Sequence, residues 1–143
     1  MLIVEWHNSP FSLVKLKTIL SVINKGLKLK SKKNISVALV TPKVIKKINH
    51  DYRGKNKVTD VLSFAFSNSE TTGEILICLA QAKKQAKQFK HSLGDELQIL
   101  LVHGILHIFG FNHLKIFEAK KMFTLQKKIL KNLKIDWLGS EAG

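Results

Sequence analysis

Apolar residues recur along this chain in two periods, and the switches between them mark out the elements. Residues 2–6, Leu-Ile-Val-Glu-Trp, read as a short strand. Ser9-Pro10 resembles an N-cap followed by proline at the first helical position. Leu13, Leu16, Leu20 and Ile23 follow at helical spacing, with Gly26 as the expected stop. Residues 28–33 form a basic loop, and residues 35–40 a strand. Thr41-Pro42 repeats the cap-plus-proline signal ahead of a short helix marked by Val44, Ile45 and Ile48. Residues 61–66 and 74–78 read as strands on either side of a polar turn at 67–72. The rest is helical. Residues 79–89 are amphipathic, with Lys83, Lys84 and Lys87 on the polar side. Ser92 and Asp95 open an apolar helix that ends near Gly110. A last helix spans about residues 114–133, with Met122, Leu125, Ile129 and Leu133 along its inner side, and the tail from Gly139 frays.

Strands come first and helices later, with some alternation. This predicts an α+β fold, a mixed and roughly four-stranded sheet packed with about five helices, one of them buried and central. With 143 residues, no repeat and no Pro/Gly/Ser-rich linker, residues 1–143 are expected to form one domain. The lone cysteine, Cys78, sits in an apolar strand and reads as an inert core thiol; it fits a reducing, cytoplasmic setting. The N-terminus lacks a basic segment, and Glu5 interrupts its apolar run, so no signal peptide is expected. The most apolar stretch, 97–111, is too short to span a bilayer and contains Gln98 and two histidines.

Charge narrows the class of partner. The formal net charge of +14 favours a polyanion. Of the 24 basic residues all but Arg53 are lysine. A planar guanidinium grips a phosphate or carboxylate through two parallel hydrogen bonds, which an ammonium cannot do, so Arg53 is a candidate for a specific role.

The chemistry concentrates in His103-Gly-Ile-Leu-His107-Ile-Phe-Gly110-Phe-Asn-His113. His103 and His107 leave one face of a helix about 5–6 Å apart at Cβ, close enough to share a metal. Gly110 can take the left-handed conformation that ends a helix and lets the chain return His113 to the same ion. Three histidines leave a fourth tetrahedral position for water or substrate, the pattern of a catalytic zinc. One zinc, or another divalent ion, is expected per chain. His7, His50 and His91 lack this pattern and read as surface or capping residues. The segment is close to the zinc-protease signature His-Glu-x-x-His-x-x-Gly-x-x-His, in which the glutamate is the general base. Gly104 stands at that position, which disfavours peptide hydrolysis; a glycine there could give backbone or substrate close access to the metal.

The same segment resembles the hallmark of the YbeY family of bacterial endoribonucleases. Ile48-Asn-His-Asp-Tyr-Arg53 with Thr59-Asp-Val-Leu-Ser-Phe64, and Gly73-Glu-Ile-Leu-Ile77, resemble two further family blocks, in the same order over about residues 35–130. The resemblance implies a mixed sheet with helices packed on it, zinc on His103, His107 and His113, and an RNA-cleft role for Arg53. It also implies a single-strand-specific, metal-dependent endoribonuclease. Its partners would be ribosomal RNA and the ribosome, in rRNA maturation at the small-subunit 3′ end and in ribosome quality control, with no membrane involved. Two positions depart from the family: Phe111-Asn112 replaces Tyr-Asp, and Glu74 replaces aspartate. If the missing aspartate is the family's base, this chain uses another group; if it only orients the third histidine, Asn112 can do so.

The expected chemistry is metal-assisted phosphodiester cleavage. Arg53 holds the phosphate, the lysines supply salt-sensitive affinity, and Asp60, Glu74 or Asn112 is a base or supporting group. Two rivals remain. One is a non-catalytic RNA-binding assembly factor with a structural metal. The other is a metal-dependent hydrolase of another bond.

Overall fold

The computed structural model describes residues 1–29, 31–67, 70–110 and 116–137, with backbone only for 116–119. Asn112, His113 and the tail from Gly139 lie outside the described residues. The described elements run β1 (Leu2–His7), α1 (Leu13–Leu27), β2 (Lys33–Val40), α2 (Pro42–Arg53), β3 (Val61–Ala65), β4 (Gly73–Cys78), α3 (Leu79–Gln88), α4 (Leu93–Ile108) and α5 (Ile116–Asn132). The strands form one sheet in the order β1-β2-β4-β3. β1, β2 and β4 are parallel, and β3 lies antiparallel on β4 with Ser63 opposite Ile75. This is the expected mixed four-stranded sheet with five helices. None of the described helices is long and apolar enough to cross a membrane.

Alternation along β4 divides the two faces of the sheet. Ile75 and Ile77 belong to the main core, with Leu97, Leu100, Leu101 and Ile105 of α4. Leu76 and Cys78 point the other way, into a smaller core with Ile45 of α2 and Leu62 of β3. Cys78 is fully buried there, as expected. α4 has no exposed face from Glu96 to Leu106, which explains its all-round apolar sequence.

Three local expectations are corrected. The α1 cap is Ser12, whose Oγ accepts from Lys15 N at 3.1 Å, and not Ser9. Ser9 instead closes a turn by accepting from Phe11 N at 3.1 Å. Gly26 does not stop α1, which continues to Leu27 and is capped by Lys28 at φ 52°. A Cβ on Gly26 would lie 2.6 Å from Ile129 of α5, so this glycine serves helix–helix packing. His91 is not a surface residue. Its Nε2 lies 2.7 Å from Oε1 of the fully buried Glu96. Glu96 also accepts from Gln85, which in turn donates to Asp60, so a buried polar chain braces the start of α4.

Candidate metal centre

α4 begins at Ser92, whose Oγ accepts from Asp95 N at 3.0 Å, as the sequence predicts. It ends at Ile108. Gly110 follows at φ 90° and donates its N–H to His107 O at 3.1 Å, so this glycine does turn the chain out of the helix. Gly104 lies against the sheet. A Cβ there would stand 3.0–3.2 Å from three side-chain atoms of Ile75. The glycine therefore admits β4 to the helix.

With Gly104 against the sheet, His103 and His107 meet beside α5. Their rings are 4.5 Å apart at 71°, and the two Nε2 atoms are 3.0 Å apart. His103 is buried, and its Nδ1 lies 3.1 Å from Gln126 Oε1 on α5. An amide oxygen only accepts, so this bond puts the ring proton of neutral His103 on Nδ1 and directs the Nε2 lone pair toward His107. That tautomer is the one a metal ligand needs. Two nitrogens on a tetrahedral zinc at 2.0–2.1 Å stand about 3.3 Å apart. The observed 3.0 Å is close to that, and the donor pair fits the ion with a small opening of the rings. No cluster of three metal-ligating side chains occurs among the described residues, and His113, the third expected ligand, lies outside them.

Gln126 is the residue that the sequence reading misses. It lies within the inner stripe of α5, four residues after Met122 and three before Ile129, and is 1% exposed. A polar residue in an apolar stripe is the signal that could have found it. Its Nε2 has no hydrogen-bond partner among the described residues.

Arg53 closes α2 and is capped by Gly54 at φ 69°. Its guanidinium is exposed and donates to Ser63 O of the edge strand β3 at 3.3 Å. No carboxylate among the described residues pairs with it. Asp51 is engaged by Lys47 at 3.3 Å and by His50 at 3.2 Å. The His50 hydrogen bond, then Lys47, holds the Asp51 carboxyl below its ordinary range.

Asp60 is buried. Its Oδ1 accepts from Val61 N at 2.8 Å and Thr59 Oγ1 at 3.3 Å, and its Oδ2 from Gln85 at 3.2 Å. These bonds fix the start of β3. Glu74 lies opposite Phe64 and, by strand alternation, projects from the sheet face that α2 covers, away from α4. The described structure therefore brings His103, His107 and Gln126 together, and places Asp60 and Glu74 elsewhere.

A family model described as Endoribonuclease YbeY matches residues 10–134. An Endoribonuclease YbeY of Ureaplasma parvum serovar 3 is 41% identical over 125 residues, covering 85% of this chain and 81% of the relative. One from Staphylococcus carnosus is 37% identical over 138 residues, covering 90% and 86%. The solution structure of TM1509 from Thermotoga maritima superposes with a TM-score of 0.65 at 30% identity, covering 93% of this chain and 89% of that one. With its fold matched to that structure and its family segments on α2, β3, β4 and α4, this chain belongs to the YbeY endoribonuclease family.

Proposed function

We propose that this protein is a zinc-dependent endoribonuclease. Its substrate is single-stranded ribosomal RNA, cut during maturation at the small-subunit 3′ end, and it acts in the cytoplasm in contact with the ribosome and in its quality control. The observation that carries the reading is the facing pair of Nε2 atoms on His103 and His107, with the tautomer of His103 set by Gln126. His103 and His107, with His113 as the third ligand, would hold one zinc per chain. A bound divalent ion supplies Lewis acidity toward water and a phosphoryl oxygen. Arg53 offers the phosphate a planar pair of donors from the rim of the sheet, and its hydrogen bond to Ser63 O limits its swing. The chain's +14 charge supplies affinity for the RNA backbone. Asp60 is held by three hydrogen bonds at the start of β3, and Glu74 projects from the sheet face that α2 covers; either, or Asn112, would serve as the proton acceptor or a supporting group.

The test is incubation of zinc-loaded protein with structured ribosomal RNA, with and without chelator. Cleavage should stop on chelation and in His103→Ala. Arg53→Lys should lower the single-turnover rate about 10²-fold, as loss of one preorganised donor does, with an unchanged melting temperature. Tight RNA binding without cleavage at stoichiometric, metal-loaded protein would refute the nuclease and leave an assembly factor.

A further inference from the structure

The last turn of α2 carries an aromatic ring that the fold does not use. Tyr52 is 75% exposed, although it sits next to Arg53 and beside the edge strand β3. It is not loose, because its ring packs edge-to-face on Phe64 of β3, at 5.7 Å and 68°. That contact fixes the ring's position while most of the residue stays open to solvent. Phe66, two residues beyond Phe64, is 43% exposed, and Val58 is 38% exposed. A single exposed aromatic residue is ordinary. Here apolar side chains are exposed along the length of the edge strand β3, before its start, on it and past its end, and the loop between α2 and β3 carries cations.

That loop is built. Gly54 N–H donates to His50 O at 3.0 Å, Lys55 N–H to Asn49 O at 3.3 Å, and Lys57 N–H to Lys55 O at 2.9 Å. The Asn49 side chain, 2% exposed, donates from Nδ2 to Lys57 O at 3.0 Å. One buried amide thus fixes the path of a loop bearing Lys55 and Lys57, next to Arg53. The nearby carboxylate, Asp51, is occupied by Lys47 and His50. The result is a supported, exposed aromatic ring with three cations within five residues of it along the chain. A partner protein's apolar anchor would not need three cations; a nucleobase with its phosphates needs both.

We infer that Tyr52 is a stacking platform for an unpaired base of the RNA, adjacent to the phosphate held by Arg53. This rests on the RNA-cleaving reading but not on its metal. Stacking requires a base already out of a duplex, so the platform would itself favour single-stranded segments. Tyr52 would position the strand and take no part in bond breaking.

The experiment measures binding of a fluorescent single-stranded oligoribonucleotide by the full chain in chelator, which removes cleavage. A second strand of equal length carries abasic positions. Tyr52→Ala should weaken binding to the intact strand about 5- to 100-fold, the usual range for losing one stacked base. Tyr52→Trp and Tyr52→Phe should bind within about twofold of wild type, since both keep an aromatic face. On the abasic strand wild type and Tyr52→Ala should be alike, a difference that mere damage to the fold could not produce. Equal affinity of wild type and Tyr52→Ala for the intact strand overturns the platform alone, as does an equal loss on both strands. A wild-type protein indifferent to RNA overturns the nuclease reading and the platform together.

Discussion

Gln126 decides which nitrogen of His103 carries the ring proton, and that makes it testable apart from the ligands themselves. Gln126→Met keeps the approximate volume and removes the acceptor. Neutral His103 is then no longer held with its proton on Nδ1. Zinc affinity, read by chelator competition, should fall about 10- to 100-fold, the usual cost of losing an outer partner of a metal-ligating histidine. The melting temperature of the metal-free protein should change little, because the substitution removes a buried Nε2 that lacks a partner among the described residues but also takes the Gln126 acceptor from His103 Nδ1–H. Gln126→Glu retains an acceptor and should retain binding. Unchanged zinc affinity with a lower melting temperature would reassign Gln126 to packing. The sequence made His103 and His107 legible because both halves of the pair lie within one helical turn. Gln126 was harder to see because it lies 23 residues away and meets His103 only when α5 folds onto α4. The packing of Gly104 was hidden for a similar reason, since Ile75 of β4 is brought against it only by the tertiary fold.

At the level of elements, α4 is squeezed between the sheet and α5, and Gly104 sets how closely it approaches β4. An alanine in a helix interior is normally about 1 kcal/mol better than glycine. Here the added methyl would stand 3.0–3.2 Å from Ile75, a fully buried, β-branched side chain with little freedom to turn. Overpacking costs about 1–3 kcal/mol, so Gly104→Ala should be net destabilising by about 1 kcal/mol in chemical denaturation. Adding Ile75→Val removes part of the clash, and the double mutant should lose less than the sum of the two single ones. Strict additivity would mean that the helix shifts freely over the sheet. Hydrophobic periodicity made the strands and helices visible, because each buries one face or stripe of its own. The first helix began later than its sequence suggested because Ser9 and Ser12 offer the same chemistry three residues apart. Only the fold shows that one closes a turn and the other caps α1. The strand order β1-β2-β4-β3 was not legible, since it depends on pairings between residues far apart in sequence.

Over the whole molecule, charge and site divide the work of recognition. The +14 charge comes mostly from lysines, and those described on α1, α2, α3 and α5 belong to several separate surfaces. A diffuse field of this kind attracts any polyanion and does not select a position on it. On the proposed reading, selection falls to the few groups that the fold holds in place: the facing imidazoles of α4, Arg53 and Tyr52. The two contributions respond differently to salt. Each neutralised phosphate on a single strand contributes about −0.7 to the slope of log affinity against log salt. A footprint of about five phosphates should therefore lose about 10²-fold in affinity between 50 and 200 mM salt. Arg53→Lys keeps its charge, so its slope should match wild type. Replacing Lys55 and Lys57 together with glutamine removes two cations beside Tyr52 and should flatten the slope by about 1.4 if both meet phosphates. Fluorescence titrations at four or five salt concentrations measure this directly. An affinity that barely changes with salt would remove the basic surface from RNA binding. A steep slope left unaltered in the Lys55, Lys57 double variant would move the footprint to another face of the molecule.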